Sequence, residues 1–111
     1  MLESLFGNPV IEKALFFILK NKKTYASELG KVFDIPLFSC QKGLERLEKG
    51  GILVSYTEGR TRLYQFNPRF PMLKELTLFL EKSYTFLPEK FHQKYYERSI
   101  RKRPRRKGKP L

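Results

Sequence analysis

The apolar pattern predicts a first helix that begins at Asn8 and Pro9. Asparagine caps free amides at a helix start, and proline suits the first helical position. Apolar side chains then cover most of the helix surface: Ile11, Ala14, Leu15, Phe16, Phe17, Ile18 and Leu19. A helix of this kind is usually buried on two sides. In so short a chain we expect a second subunit to cover one of them, which predicts a homodimer.

Two further helices are predicted after a polar turn at residues 21–25. The first spans Ala26 to Phe33, and the second opens at Pro36 and ends at Gly50-Gly51. Regular three- and four-residue spacing predicts that one stripe of the second helix is buried: Leu37, Cys40, Leu44 and Leu47. Gly43 lies inside this helix, where it either permits a close approach or is merely tolerated at a cost of about 1 kcal/mol.

The pattern then changes to alternation, which predicts a β-hairpin. Its turn is Glu58-Gly59-Arg60, and one face is predicted to carry Ile52, Val54, Tyr56, Tyr64 and Phe66. A helix after Pro71 is predicted to bury Leu73, Leu76, Phe79, Leu80 and Ser83. A last helical stretch starts at Pro88, and its tyrosines Tyr95 and Tyr96 are expected to pack against the domain.

The order of these elements is that of a helix-turn-helix followed by a wing, which is mainly α with a small β-hairpin (α+β). The sequence resembles the winged-helix transcriptional regulators of the ArsR/MarR type over residues 25–68. The resemblance rests on Ser27-Glu28-Leu29, on Asp34-Ile35-Pro36, and on a Leu-Glu-x-Leu-Glu-x-x-Gly run. That run begins at Leu44 and leads into the predicted strand. The resemblance implies a DNA-binding regulator.

Composition excludes several kinds of site. Metal-sensing members of that family carry cysteine and histidine ligands, but here Cys40 and His92 are single residues of their kinds. We therefore expect no metal or other cofactor, and we expect Cys40 to be a core residue and His92 a surface residue. With no matched nucleophile and no phosphate-binding glycine loop, we do not expect an enzyme. The longest apolar run is far short of the ~20 residues that span a membrane, and no secretory signal is evident, so we expect a cytoplasmic protein.

The charge is concentrated near the end of the chain. The 111 residues carry a net charge of +12, of which residues 1–87 contribute +4 and residues 88–111 contribute +8. This predicts a winged-helix domain at 1–87 with flanking dimerisation helices, followed by a basic, helical-to-disordered tail at 88–111. The tail is predicted to neutralise phosphates through Arg101, Lys102, Arg103, Arg105, Arg106, Lys107 and Lys109.

The helix from Pro36 to Lys49 resembles a recognition helix, and its outward face is predicted to contact DNA through Phe38, Ser39, Gln41, Lys42 and Arg46. Glutamine can read adenine with two hydrogen bonds, lysine can reach guanine or phosphate, and phenylalanine can touch a thymine methyl group. Glu45 on the same face would repel phosphate unless it accepts a hydrogen bond from cytosine. An ordinary solvated helix face is the alternative.

The predicted wing offers Arg60, Thr61 and Arg62 for a minor groove or for phosphate. The combined prediction is a homodimer, formed through the first and the C-terminal helices, that binds double-stranded DNA and represses transcription. Two alternatives remain open at this point. One is an RNA- or ribosome-associated winged-helix protein, and the other is a protein-interaction module.

Overall fold

The structure is a computed structural model that describes residues 1–97. Within this range seven elements of regular hydrogen bonding precede the final segment: α1 (Glu3–Phe6), α2 (Pro9–Asn21), α3 (Ala26–Phe33), α4 (Leu37–Lys49), β1 (Leu53–Glu58), β2 (Thr61–Phe66) and α5 (Leu73–Tyr84). A short helix α6 (Glu89–Phe91) and a π-helical segment (His92–Tyr96) follow. The two strands form one antiparallel sheet, so the predicted class is confirmed.

Helix α2 lies at the centre of the domain. It begins as predicted, because the Asn8 side chain accepts a hydrogen bond of 2.7 Å from the Val10 amide and Pro9 follows directly. Apart from Lys13, the residues from Val10 to Ile18 are all buried. They are covered by α4, α5 and the π-helical segment of the same chain. The prediction that a second subunit covers this helix is therefore wrong.

Three aromatic rings connect α2, α5 and the π-helical segment. Phe16, Tyr84 and Tyr96 lie with their ring centroids 5.7 Å apart in each pairing. Asn21 reinforces the arrangement, since its side-chain amide donates a hydrogen bond of 2.7 Å to the Tyr96 carbonyl. The predicted packing of the tyrosines against the domain is thus confirmed for Tyr96, which is buried.

His92 does not lie on the surface as predicted. Its ring stacks on the Tyr84 ring with centroids 4.0 Å apart, and its Nε2 lies 2.9 Å from the Tyr84 carbonyl oxygen. The chain after Pro88 therefore packs on the core at least as far as Tyr96. The division into residues 1–87 and a basic tail remains a prediction, because residues 98–111 lie outside the described range.

The turn between α3 and α4 is tight. Asp34 ends α3 in the left-handed conformation with φ 57°, and the Ile35 amide donates to the Gly30 carbonyl over 3.1 Å. A Cβ atom at Gly30 would lie 2.9 Å from the Ile35 carbonyl oxygen, so the turn requires glycine there. These contacts fix the angle between α3 and α4.

The buried stripe of α4 is confirmed for Cys40, Leu44 and Leu47 but not for Leu37. Leu37 is 49% exposed, because the first turn of α4 extends past the core and its side chain lines a groove beside the hairpin. Burial raises the pKa of the Cys40 thiol, which disfavours the reactive thiolate. Cys40 therefore behaves as a small apolar core residue.

Gly43 marks the point where α4 crosses α2. A Cβ atom there would lie 2.8 Å from Cγ1 of Val10, closer than atoms of a stiff, β-branched side chain can approach. Of the two roles left open by the sequence, the close approach is the correct one. This contact positions the exposed face of α4 relative to the core.

The substitution Gly43→Ala is therefore expected to destabilise the fold by about 1 kcal/mol. Overpacking lowers the free energy of unfolding by about 1–3 kcal/mol, and the better helix propensity of alanine offsets about 1 kcal/mol of this loss. The measurement is chemical denaturation. Gly50→Ala is the control, because a Cβ atom at Gly50 meets only the Arg46 and Leu47 carbonyl oxygens, at 3.6 and 3.8 Å. Equal stability of both variants would contradict the tight crossing.

The hairpin pairs Leu53 with Phe66 and Ser55 with Tyr64. Because paired residues share a face, Leu53 points to the core with Tyr64 and Phe66, and Val54 and Tyr56 point away. The predicted inward face of the first strand was wrong by one residue. Gly51, with φ 83°, turns the chain before the strand begins, and a shift of one residue reverses every side chain of a strand.

The hairpin is attached to the start of α3 by Thr24. The Thr24 amide donates to the Tyr64 carbonyl over 3.0 Å, and the Tyr64 amide donates back over 2.8 Å. The Thr24 hydroxyl donates to Glu28 over 2.9 Å. The segment predicted as a plain polar turn thus contributes a third strand position, which holds the wing against the helix-turn-helix.

Helix α5 buries Leu80 and Ser83 as predicted, and Leu73 and Leu76 are half-buried. Phe79 is 41% exposed, so its predicted burial is wrong. It lies about 100° around the helix from Leu80, at the edge of the face that packs on the domain.

Candidate nucleic-acid interface

The outward face of α4 carries the residues predicted to contact DNA. Phe38, Gln41, Lys42 and Arg46 are exposed, and Ser39 is half-buried. They lie opposite the side chains that anchor α4 to the core. The face is continuous, because its residues recur at the three- and four-residue spacing of a helix. An α-helix exposed in this way fits the major groove of B-form DNA.

Phe38 and Lys42 interact with each other on this face. The Lys42 ammonium lies 5.5 Å from the centroid of the Phe38 ring, within the range of a cation–π contact. Phe38 is 68% exposed, so the ring presents its other surface to solvent. The pair combines an apolar surface that could contact a thymine methyl group with a charge that could contact guanine or phosphate.

A groove between α4 and the hairpin brings the two predicted contact regions together. It has a volume of about 400 Å³ and is lined on one side by Gln41 and Glu45 and on the other by Arg60, Thr61 and Arg62. Four residues of the recognition face are not among its lining residues: Phe38, Ser39, Lys42 and Arg46. The helix and the wing therefore share one concave surface, and the Phe38–Lys42 pair lies beside it.

A second depression adjoins the far side of α4. Lys42, Arg46 and Lys49 line it together with Glu45 and the helix-capping Asn8. Three cations against one carboxylate give this surface a net positive charge. Glu45 lies between the two depressions, where its carboxylate can accept hydrogen bonds or repel phosphate according to which group approaches.

Arg62 is held in place by a chain of hydrogen bonds. Its Nη1 donates to the Ser55 hydroxyl over 2.6 Å, and that hydroxyl donates to Oε2 of Glu48 over 2.7 Å. The wing is thereby connected to α4 through side chains. Arg60 differs, since it is exposed and makes no hydrogen bond or ion pair with any residue in 1–97. Arg60 is thus the free cation at the hairpin tip.

Sequence reasoning missed five residues that line the groove: Tyr25, Ala26, Ser27, Leu37 and Tyr64. Tyr25 and Leu37 line it and are 37% and 49% exposed, and Tyr64 forms part of its floor. Burial raises the pKa of the Tyr64 hydroxyl, and the nearby Glu48 carboxylate raises it further. The phenol therefore remains neutral and can donate a hydrogen bond. One signal was available, because Tyr25 occupies a helix N-cap position that normally favours Ser, Thr, Asp or Asn.

The basic tail residues from Arg101 to Lys109 lie outside the described residues. Within residues 1–97, no three or more His, Cys, Asp or Glu side chains are grouped as metal ligands. No helix in the same range has the length and apolar character needed to cross a membrane.

Neither known family models nor curated protein sequences match this chain. Solved structures do match its fold. A MarR family transcriptional regulator from Silicibacter pomeroyi matches with a TM-score of 0.54 at 15% identity, covering 75% of this chain and 59% of its own. The chain thus spans about three-fifths of that regulator's length.

Two more structures match across most of the chain. The adhesin competence repressor AdcR from Streptococcus pyogenes has a TM-score of 0.50 at 14% identity, covering 88% of this chain and 75% of its own. A mutant of ZitR from Lactococcus lactis in its apo form has a TM-score of 0.53 at 14% identity. The match covers 96% of this chain and 83% of the ZitR chain. At such identities the likeness concerns the fold. The chain therefore has the winged helix-turn-helix fold of MarR-type transcriptional regulators.

Proposed function

We propose that this protein binds double-stranded DNA in a sequence-dependent manner as a homodimer and acts as a transcriptional repressor. The observation that carries the proposal is the shared groove, in which Gln41 of α4 faces Arg60, Thr61 and Arg62 of the wing. One element supplies a side chain suited to reading a base edge, and the other supplies cations suited to a minor groove or phosphate.

The division of tasks follows from the side chains. Gln41 can form two hydrogen bonds with adenine in the major groove, which gives sequence preference. Lys42 and Arg46 lie on the same helix and can reach guanine or the phosphates beside it. Arg60 has no partner within residues 1–97, so it can contact DNA without breaking an existing interaction. The predicted tail contacts would add affinity without sequence preference.

The fold and the names of its neighbours support the regulatory part. One structural neighbour is a transcriptional regulator and another is a repressor. The homodimer is supported by the general geometry of helix-turn-helix proteins, in which two copies read half-sites about one helical turn apart. No metal effector is proposed, since residues 1–97 contain no group of three or more His, Cys, Asp or Glu side chains that could hold a metal ion.

Substitution of Arg60, the unpaired cation at the tip of the wing, tests the proposed contact with phosphate or the minor groove. Arg60→Ala is expected to weaken duplex binding and to lower the slope of log affinity against log salt by about 1. Binding is measured as a salt titration with fluorescent duplexes. Arg69→Ala is the matched control, because Arg69 is also exposed but lies at the opposite end of the hairpin. Equal effects of the two substitutions would contradict an interface at the wing.

The same titration distinguishes DNA from RNA. If the proposal is correct, duplex DNA binds more tightly than a structured RNA of equal length at each salt concentration. Tighter binding of the RNA, unaffected by Gln41→Ala, would contradict the proposal and favour an RNA-associated protein.

A further inference from the structure

The first turn of α4 exposes two large apolar side chains. Leu37 is 49% exposed and Phe38 is 68% exposed, although the following turns of the helix pack on the core. Tyr25, which is 37% exposed, lines the same groove as Leu37. Residues 1–97 thus leave adjoining apolar groups in contact with water, which indicates an interaction surface. We call Leu37 and Phe38 the α4 tip.

Cations surround the α4 tip. The Lys42 ammonium lies 5.5 Å from the centroid of the Phe38 ring, and Arg60 and Arg62 line the groove beside Leu37. Among the groove-lining residues within 1–97, Glu45 alone is acidic. An apolar protein surface would desolvate these cations without pairing them, whereas a polyanion pairs with them. Charge complementarity therefore favours the duplex DNA of the proposed function as the occupant, and the inference rests on that function.

The chemistry of the major groove limits what the α4 tip can contact. Every base pair presents hydrogen-bond donors and acceptors there, and the apolar group among them is the C5 methyl of thymine. In helix-turn-helix proteins the N-terminal residues of the recognition helix contact the base edges. The α4 tip consists of the first two residues of α4. A base that lacks the methyl group leaves these side chains against polar edges or water, so the tip favours a base that carries it.

We propose that the α4 tip is a methyl-binding site, which contacts the C5 methyl groups of pyrimidines in the preferred half-site. Thymine supplies this group directly. 5-Methylcytosine carries the same methyl at the same ring position, so it is accepted where cytosine is disfavoured. Binding therefore responds to cytosine methylation as well as to sequence. Gln41 and Lys42, about one turn further along α4, contact the neighbouring hydrogen-bonding groups.

Two matched base exchanges isolate the methyl group. Uracil differs from thymine, and cytosine from 5-methylcytosine, only in lacking the C5 methyl. A limiting amount of the full chain is offered an equal mixture of random duplexes made with thymine and with uracil, and the retained fraction is quantified. The thymine form is expected to be retained in excess by about fourfold for each contacted methyl group, the usual gain from burying one such group. A second mixture with cytosine and 5-methylcytosine is expected to favour the methylated form.

Substitution of both tip residues tests whether the preference comes from this site. The double variant with Leu37→Ala and Phe38→Ala is expected to retain the two members of each mixture about equally. Phe86→Ala is the matched control, because Phe86 is 69% exposed and does not line the groove. It is expected to keep both preferences. Gln41→Ala is expected to keep them too, since it removes hydrogen bonds and no methyl contact. Urea denaturation checks that each variant is folded.

The outcomes separate this inference from the proposed function. Equal retention of both members by the natural chain would overturn the inference. A preference that persists in the double variant would also overturn it, because the preference would then arise from duplex shape. If the natural chain selects a DNA sequence but ignores the methyl group, the inference alone fails. If the methyl preference depends on the α4 tip but no half-site repeat is selected, the proposed dimeric regulator alone fails. A chain that retains no duplex would overturn both.

Discussion

Phe16→Ala is expected to destabilise the folded chain by about 3–5 kcal/mol, the usual cost of removing a fully buried phenyl ring. Phe16 is 0% exposed and lies on α2 between the rings of Tyr84 and Tyr96. Its removal leaves a cavity where α2, α5 and the π-helical segment meet. A domain of this size is typically stable by about 5–15 kcal/mol, so the loss would be a large fraction.

The measurement is the free energy of unfolding from urea denaturation, with the chain free of DNA. Phe38→Ala is the matched control, because Phe38 is also on a helix but is 68% exposed. The control is expected to change stability by no more than about 0.5–1 kcal/mol, since it removes only the contact with Lys42. A loss below 1 kcal/mol for Phe16→Ala would contradict the central position of α2.

Gln41→Ala is expected to weaken binding to the preferred DNA sequence by about 1–3 kcal/mol, which is about 5- to 150-fold. Gln41 is exposed on α4 and lines the groove opposite the wing, where a base edge can be reached. Alanine cannot replace the two hydrogen bonds that glutamine can form with adenine. Binding to random duplex is expected to stay nearly unchanged, because phosphate contacts dominate there.

The measurement is a pair of titrations, one with the selected sequence and one with random duplex. Gln93→Ala is the control, since Gln93 is exposed in the π-helical segment and does not line the groove. It should leave both affinities unchanged. Equal losses on the selected and the random duplex for Gln41→Ala would contradict base reading by this residue.

Local signals in the sequence were sufficient to predict most elements of the fold. Asn8 and Pro9 marked the start of α2, and the Ala26–Phe33 helix and the hairpin turn at Gly59 are found where they were predicted. The start of α2 depends on a side-chain cap, and the hairpin turn depends on a left-handed glycine; neighbouring residues determine both features. Such features do not require knowledge of distant contacts.

Features that depend on distant residues could not be predicted in the same way. The strand face was wrong because Asn67, far along the chain, fixes the register by donating to the Ile52 and Gly51 carbonyls. The cover over α2 was assigned to a second subunit because the contribution of Tyr84 to the core was not foreseen, and the predicted packing of Tyr96 was not assigned to this helix. Burial by the same chain and by a partner produce the same local pattern.

The candidate site shows the same contrast. Helical spacing alone indicated that Gln41 and Lys42 face solvent. The groove itself depends on Tyr25 and Tyr64, which the Thr24 pairing brings together across the fold. The hydrogen bonds that hold Arg62 likewise join three elements. No spacing within one segment could reveal either.

The central claim is that this chain reads DNA sequence as a dimer, and selection from genomic DNA tests it most directly. Purified full-length chain is incubated with fragmented genomic DNA at about 0.15 M salt, where long-range surface attraction is largely screened, and the retained fragments are sequenced. We predict enrichment of an inverted repeat with half-sites about one helical turn apart. Retention without any enriched sequence, or no retention, would contradict the claim.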